Sequence, residues 1–237
     1  MTYELQGNSR NHFRSIMVEQ FLDLLIPCID PSKRYTIAVV GGSKYEPEIE
    51  ALISRGYSVE VDSYGIEDAD FVLDLNTRCH VPSKTYDIVL CIQVIEHVWN
   101  HDNCFKHLRN LLGPDGYVWI NCPASNRWHP SPDFFTAGFT SGYLVNMLSN
   151  LDINIVKSGS IGSKRNYYAT HLLPWWLSRM NHKFIFSRPP GRTFMKAVAL
   201  LTVYSPFLLL LLFASGKIDS KNPKFFTESW VLGRAQS

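Results

Sequence analysis

The stretch Tyr86–Ile92, YDIVLCI, constrains the fold of this chain more than any other. Its apolar residues run almost without alternation, so a strand there must be covered on both faces. Strands of that kind lie inside parallel sheets, whose crossovers are helices. The flanking sequence agrees. The β-branched run Tyr35-Thr36-Ile37-Ala38-Val39-Val40 ends in Gly41-Gly42-Ser43 and leads into a helical stretch as far as Arg55. Residues 57–62 read as a second strand that ends on Asp62, and 69–74 as a short third one. A helix over about 102–112 is closed by Gly113-Pro114-Asp115-Gly116 before a strand over 117–121. Ahead of the first strand, Phe13, Ile16, Met17, Phe21, Leu24 and Leu25 recur at helical spacing within 11–28, and Pro27 and Pro31 stop that helix. Strands alternating with helices predict an α/β fold on a parallel sheet with both faces covered.

The chain has 237 residues, 46% hydrophobic and 19% charged, which is too apolar for a disordered chain and too charged for a polytopic membrane protein. The net charge of +2 argues against a dedicated nucleic-acid binder, but it conceals an asymmetry. Residues 165–224 carry nine Lys/Arg against the single acid Asp219, a net of +8, so the remainder sums to −6. The five cysteines are odd in number and never spaced as CxxC. They read as reduced thiols of a cytoplasmic protein, with neither a zinc site nor a disulfide framework. The N-terminal residues lack the apolar run of a signal peptide.

An open α/β sheet binds its ligand at the carboxyl ends of its strands. Glycines at the first strand-to-helix turn let backbone approach that ligand, which makes Gly41, Gly42 and Ser43 candidates. Asp62, about 20 residues further on, suits either a ribose diol or a helix cap.

The run YDIVLCIQVIEHV over 86–98, followed by LLGPDGYVWINCP over 111–123, resembles the class I S-adenosylmethionine-dependent methyltransferases. In that superfamily an "EH" follows the central strand and "LLxPGG" opens the next. The resemblance spans about 35–162 and implies a Rossmann-like seven-stranded sheet. It implies S-adenosyl-L-methionine as cofactor, with Gly41, Gly42 and Ser43 beneath its methionine part and Asp62 on the ribose hydroxyls. Asp74, with Leu75 beside it, would face the adenine amino group, and Gln93 would line the methionine side. Departures occur in the glycine motif. Lys44 or Tyr45 stands where a further glycine is usual, and Val39 or Val40 where an acid is usual.

Methyl transfer from a sulfonium is an in-line displacement, and a hydroxyl nucleophile also needs a base. His97, His129 and Asp133 are the catalytic candidates, all in stretches that follow strand ends; Glu96-His97 also reads as a plain helix-start pair. Relatives with Glu-x-x-Glu-His hold Mg²⁺. Gln93 replaces the first carboxylate here, so no metal is expected. Residues 123–144 form a long aromatic and proline-rich loop of the kind that serves as a lid.

Residues 197–216 are twenty uncharged residues flanked by Lys196 and Lys217, long enough to cross a bilayer as a helix. Residues 153–162 read as a sixth strand, and 228–234 resemble the final antiparallel strand of the fold. A single crossing would then be impossible. The run must dip in and turn at Pro206, lie in the interface, or cap the acceptor pocket, and its length and flanking charge favour membrane contact. The organisation expected is an N-terminal helical segment over 1–34, a cofactor domain over 35–164, a basic apolar insertion over 165–224, and a returning strand over 225–237. The function expected is a cytoplasmic, membrane-peripheral methyltransferase of a small-molecule or lipid-linked acceptor, acting by O-methylation. The alternative is a non-catalytic module that keeps the fold and docks on a membrane or partner.

Overall fold

The computed structural model describes residues 9–78, 83–125, 135–162 and 227–236. The chain divides into two compact units, one of Met1–Ala124, Trp128–Gly159 and Ser229–Ser237, the other of Ser125–Arg127 and Ser160–Glu228. Nearly all described residues belong to the first.

Seven strands form one sheet in the order β3-β2-β1-β4-β5-β7-β6. They are β1 (Arg34–Val40), β2 (Ser58–Gly65), β3 (Phe71–Val72), β4 (Tyr86–Ile92), β5 (Leu112–Pro123), β6 (Ile153–Ile161) and β7 (Glu228–Ala235). The helices are α1 (Ser9–Leu25), α2 (Pro47–Ser54), α3 (His101–Leu111) and α4 (Ser141–Ser149). β1 to β5 pair in parallel. β7 runs against β6, because Thr227 N donates to Ile161 O at one end and Gln236 N to Asp152 O at the other.

β4 is the strand its composition demands. Ile88, Val89, Leu90 and Cys91 are all fully buried, so both of its faces are covered. One face meets α3 and α4 through Val89, Cys91, Val118, Ile120, Leu108 and Leu144. On β5, Trp119 packs against Phe21 of α1 at 5.4 Å between ring centroids and stacks on Trp230 of β7 at 5.6 Å. That stacking also explains Gly159, where a Cβ would lie 2.7 Å from the Trp230 ring.

Four boundaries differ from the sequence reading. β2 continues to Gly65, three residues past Asp62, because its pairing with β1 persists to Val40↔Tyr64. β3 shrinks to Phe71–Val72 at the sheet edge, where only Tyr64 and Gly65 pair with it. Gly113–Gly116 does not simply end α3; the strand starts at Leu112 and carries an irregularity between Tyr86 and Ile88 of its partner. A Cβ on Gly116 would lie 2.9 Å from Tyr86 O, so the bulge needs that glycine. Finally, α4 occupies the end of the stretch read as loop, started by Thr140, whose side chain accepts from Tyr143 N.

At the opposite end of the sheet from the strand tips, Asp87 ties β4 to β1. Its Oδ2 accepts from Thr36 N and Thr36 Oγ1, both at 2.9 Å, and its Oδ1 from Lys33 Nζ at 2.7 Å. Burial pushes this carboxyl up, but the Lys33 and Thr36 bonds outweigh it and leave it below the usual carboxylate range. A lowered carboxyl stabilises the fold above its unfolded-state value and loses that contribution as pH falls through the folded one. Asp87→Ala is expected to cost about 1–3 kcal/mol near neutral pH and progressively less in acid. Urea unfolding of both proteins at pH 7 and pH 3 measures this, and an equal deficit at both pH values would show that the ionised bonds are not responsible.

Candidate functional site

The carboxyl ends of β1, β2, β4 and β5 carry most of the residues singled out from the sequence. Gly41 leaves β1 with φ +74°, its N–H donating to Tyr64 O at 2.7 Å, and a Cβ there would lie 2.6 Å from Val94 in the turn after β4. Only glycine fits both the conformation and the space. The β1 and β4 turns thus press together at Gly41, with Gly42 and Ser43 following at the carboxyl edge of the sheet. Ser43 N donates to Glu46 Oε1 at 3.3 Å, and Tyr45 N to Ser43 Oγ at 3.2 Å.

Asp62 lies opposite Ala38, within β2 and short of its tip. Its Oδ2 accepts from Lys84 Nζ at 2.6 Å and from the Tyr86 hydroxyl at 2.8 Å. The Lys84 bond holds the carboxyl below its usual range despite partial burial. Nearer the tip is an acid that the sequence reading passed over. Asp70 Oδ2 accepts from Ser63 N and Oγ, both at 2.8 Å, and pairs with Lys44 Nζ at 2.8 Å. These bonds, that from Lys44 foremost, lower its carboxyl to about 2. Lys44, the residue that departs from the glycine pattern, therefore fastens the β1 turn to the β2–β3 turn.

Asp74 and Leu75 follow β3. Asp74 Oδ1 accepts from Asn76 N at 2.9 Å, an Asx turn, and Leu75 is buried. Asn76 Oδ1 in turn accepts from Trp99 N at 2.9 Å and Asn100 N at 3.1 Å, drawing the β3 and β4 loops together. Trp99, 61% exposed, and the Asn76 carbonyl–amide bridge were not anticipated. Nothing in the sequence marks a solitary Asn as a loop clasp.

Gln93 ends β4 in the left-handed region at φ +57°. A non-glycine residue held there indicates a backbone fixed by its surroundings. Its N donates to Asn121 O at 2.8 Å and its Nε2 to Asn121 Oδ1 at 3.1 Å, while Asn121 Nδ2 donates to Ser229 O at 3.3 Å. An amide chain therefore crosses from β4 through β5 to β7 beneath the site.

Glu96 and His97 form a 3-10 turn, Ile95–His97. His97 is partly exposed, and its Nε2 stands 3.9 Å from Glu96 Oε1, beyond hydrogen-bond reach. Glu96 is 2% exposed, and its Oε2 has no hydrogen-bond partner among the described residues. Burial pushes this carboxyl up to about 7. The Glu96 carbonyl accepts from Phe135 N at 3.0 Å, and Phe139 N donates to Pro123 O at 2.8 Å, so the end of the 123–144 stretch is pinned over the β4 and β5 tips. His129 and Asp133 lie outside the described residues. The structure thus gathers Gly41, Gly42, Ser43, Asp74, Leu75, Gln93 and His97 at one edge and sets Asp62 deeper in its strand.

The glycine turn suits a nucleotide-derived ligand, because neither Gly41 nor Gly42 carries a side chain of its own there and a Cβ at Gly41 would collide with Val94. A buried carboxyl near 7 with an idle oxygen is equipped to exchange a proton at physiological pH.

A family model described as "Methyltransferase domain" matches residues 15–199. Among solved structures, the chain is similar to coclaurine N-methyltransferase bound to N-methylheliamine and SAH (TM-score 0.55, 14% identity, covering 98% of this chain and 75% of that one). It is similar to a sarcosine dimethylglycine methyltransferase from Galdieria sulphuraria (TM-score 0.55, 11% identity, 94% and 86%). It is also similar to the [4+2]-cyclase SpnF (TM-score 0.52, 11% identity, 93% and 80%). These identities show a shared fold. No protein of curated function matches the sequence.

An acid whose folded-state value is raised destabilises the fold as pH climbs from its unfolded value, 4.5 for Glu96, towards about 7. Glu96→Gln is therefore expected to stabilise the protein by roughly 1–3 kcal/mol at pH 8 and to change little at pH 4. Melting curves at both pH values check this. Equal melting at pH 8 would mean that Glu96 finds a partner when ionised.

Proposed function

The chain belongs to the methyltransferase-domain family, and we propose that it methylates a hydroxyl of a small or lipid-linked acceptor at a membrane surface. It is an S-adenosylmethionine-dependent methyltransferase with a Rossmann-like seven-stranded sheet. The observation that carries the reading is the glycine turn, packed at Gly41 against Val94 at the edge where Gln93 and Asp74 also emerge. S-adenosylmethionine, when bound, supplies a methyl group on a sulfonium, open to in-line displacement.

The chain's own residues would do the rest. Gly41, Gly42 and Ser43 offer backbone to the amino-acid part, Asp74 and Leu75 receive the adenine, and Gln93 closes the methionine side. Asp62 would take the ribose hydroxyls, which requires its other oxygen or displacement of Lys84 from Oδ2. On the acceptor side the nucleophile must lose a proton. His97 is partly exposed at the β4 tip, Glu96 beside it is poised near neutral pH, and His129 with Asp133 belongs to the same proposed set. An acceptor of mixed character fits the aromatic residues of the 135–143 stretch, where Phe139 stacks on Tyr143 at 5.1 Å.

Membrane contact is supported by the sequence of residues 197–216, which lie outside the described residues. Among the described residues no helix is long and apolar enough to cross a membrane. The return of β7 beside β6 favours a segment that dips in or lies flat over one that crosses once. A second reading, a module that docks without turnover, draws on Lys44, which stands in the glycine motif and is committed to Asp70.

Two measurements test these readings. Calorimetric titration with S-adenosylhomocysteine should show binding, and Asp74→Ala or Asp62→Ala should weaken it roughly tenfold or more, about 1.4 kcal/mol per decade. No binding by the unaltered protein would refute the enzyme reading, and an unchanged affinity in either variant would refute that residue's role. In co-sedimentation with anionic lipid vesicles, the full chain should pellet and a chain lacking 197–216 should stay in the supernatant; a full chain that ignores the vesicles would remove the membrane from the proposal.

A further inference from the structure

We propose that Glu46, clamped by Arg14 of α1, is the positioning residue of the donor-binding turn, and that α1 thereby belongs to the cofactor site. This rests on the reading that Gly41-Gly42-Ser43 receives the amino-acid part of the donor.

Glu46 stands at the N-cap of α2, directly before Pro47, yet its side chain makes no cap bond to its own helix. It turns back instead into the β1 turn. Its Oε1 accepts from Ser43 N at 3.3 Å and fills the space above Gly42, where a Cβ would lie 2.6 Å from that oxygen. A side chain at Gly42 would therefore displace Glu46 from Ser43 N or press on Val39 Cγ1 at 3.0 Å. Its Oε2 accepts from Arg14 Nη2 at 2.7 Å, and the same Nη2 donates to Glu48 Oε2 at 2.6 Å. Glu48 is fully buried, with its Oε1 unpartnered among the described residues, as is Arg14 Nη1. A guanidinium shared between two carboxylates, one of them wholly buried, has little freedom to move. Arg14 therefore sets the direction of Glu46, and Glu46 sets the conformation of the turn. Both carboxylates are met by the one nitrogen Nη2, held in place by the plane of a guanidinium, which the flexible ammonium of a lysine lacks.

The arrangement also accounts for the departures in the glycine motif. No acid precedes Gly41 on β1, where Val39 and Val40 are buried in the core. The carboxylate that fixes this turn comes from after it, at Glu46. Lys44 is drawn aside to Asp70 and leaves the turn to Glu46.

The test compares two ligands on the full chain. S-adenosylhomocysteine carries the amino-acid part and adenosine lacks it, so a residue that only supports the fold would affect both alike. Glu46→Gln keeps the length of the side chain and an acceptor for Ser43 N while removing the ion pair with Arg14. It is expected to weaken S-adenosylhomocysteine by roughly tenfold and adenosine by less than about twofold. Arg14→Lys should move the same ligand in the same direction, and the double variant should bind it no worse than Glu46→Gln alone, because Arg14 acts through Glu46. Melting of the unliganded variants identifies any that fail to fold, and the remaining variant then carries the comparison. Equal losses for both ligands, no loss for either, or strictly additive losses would overturn the proposal. Failure of the unaltered protein to bind S-adenosylhomocysteine would overturn the methyltransferase reading instead.

Discussion

A strand buried on both faces cannot display chemistry along its length, and β4 imposes that condition on everything around it. Its flanks are committed to packing, with Ile88 and Leu90 on one side and Val89 and Cys91 on the other, so reactive groups gather where the strands stop. The tips in turn must be held without regular pairing. Gly41 bonds back to Tyr64, Gln93 to Asn121, and Asn76 reaches across to Trp99 and Asn100. Each of these is a short-range device that keeps a turn in one conformation. Together they form a rim of turns fixed by hydrogen bonds at the carboxyl ends of the strands.

Two buried carboxyls sit near that rim, and they are managed differently. Glu48 is offset by Arg14, and burial still pushes it up to about 7. Among the described residues Glu96 has no such cation, only His97 at 3.9 Å. A fold selected for stability alone would fill the Glu96 position with an apolar side chain of similar volume. It lies instead where Phe135 N bonds the Glu96 carbonyl, under the end of the 123–144 stretch.

The elements most legible in the sequence were those with a single dominant cause. β4 was readable to the residue because an unbroken apolar run has one explanation, and the order of strands and helices followed from their alternation. The family, too, was legible, since several motifs recur together. Less legible were features decided by tertiary contact. The length of β2 depends on how far β1 continues to pair, so Asp62 looked terminal when it is internal. α4 starts on the Thr140 cap, a signal diluted by the aromatic residues before it. Nothing in the sequence singles out Glu46, because the guanidinium that redirects it is 32 residues away. His97 is visible as a type of residue, but its separation from Glu96 is set by the 3-10 turn that carries them both.

β6 and β7 are joined at their open ends by Thr227 N to Ile161 O, so whatever lies between these two residues departs and returns at one point. The entropy of closing such an excursion grows only with the logarithm of its length, by about 0.6 kcal/mol per doubling. The closure cost at the sheet thus depends only weakly on how long that excursion is. A catalytic frame with this property can exchange its intervening segment as a cassette, acquiring or losing a surface preference while the β4 rim stays the same. Substrate range and cofactor use would then evolve on separate parts of the chain.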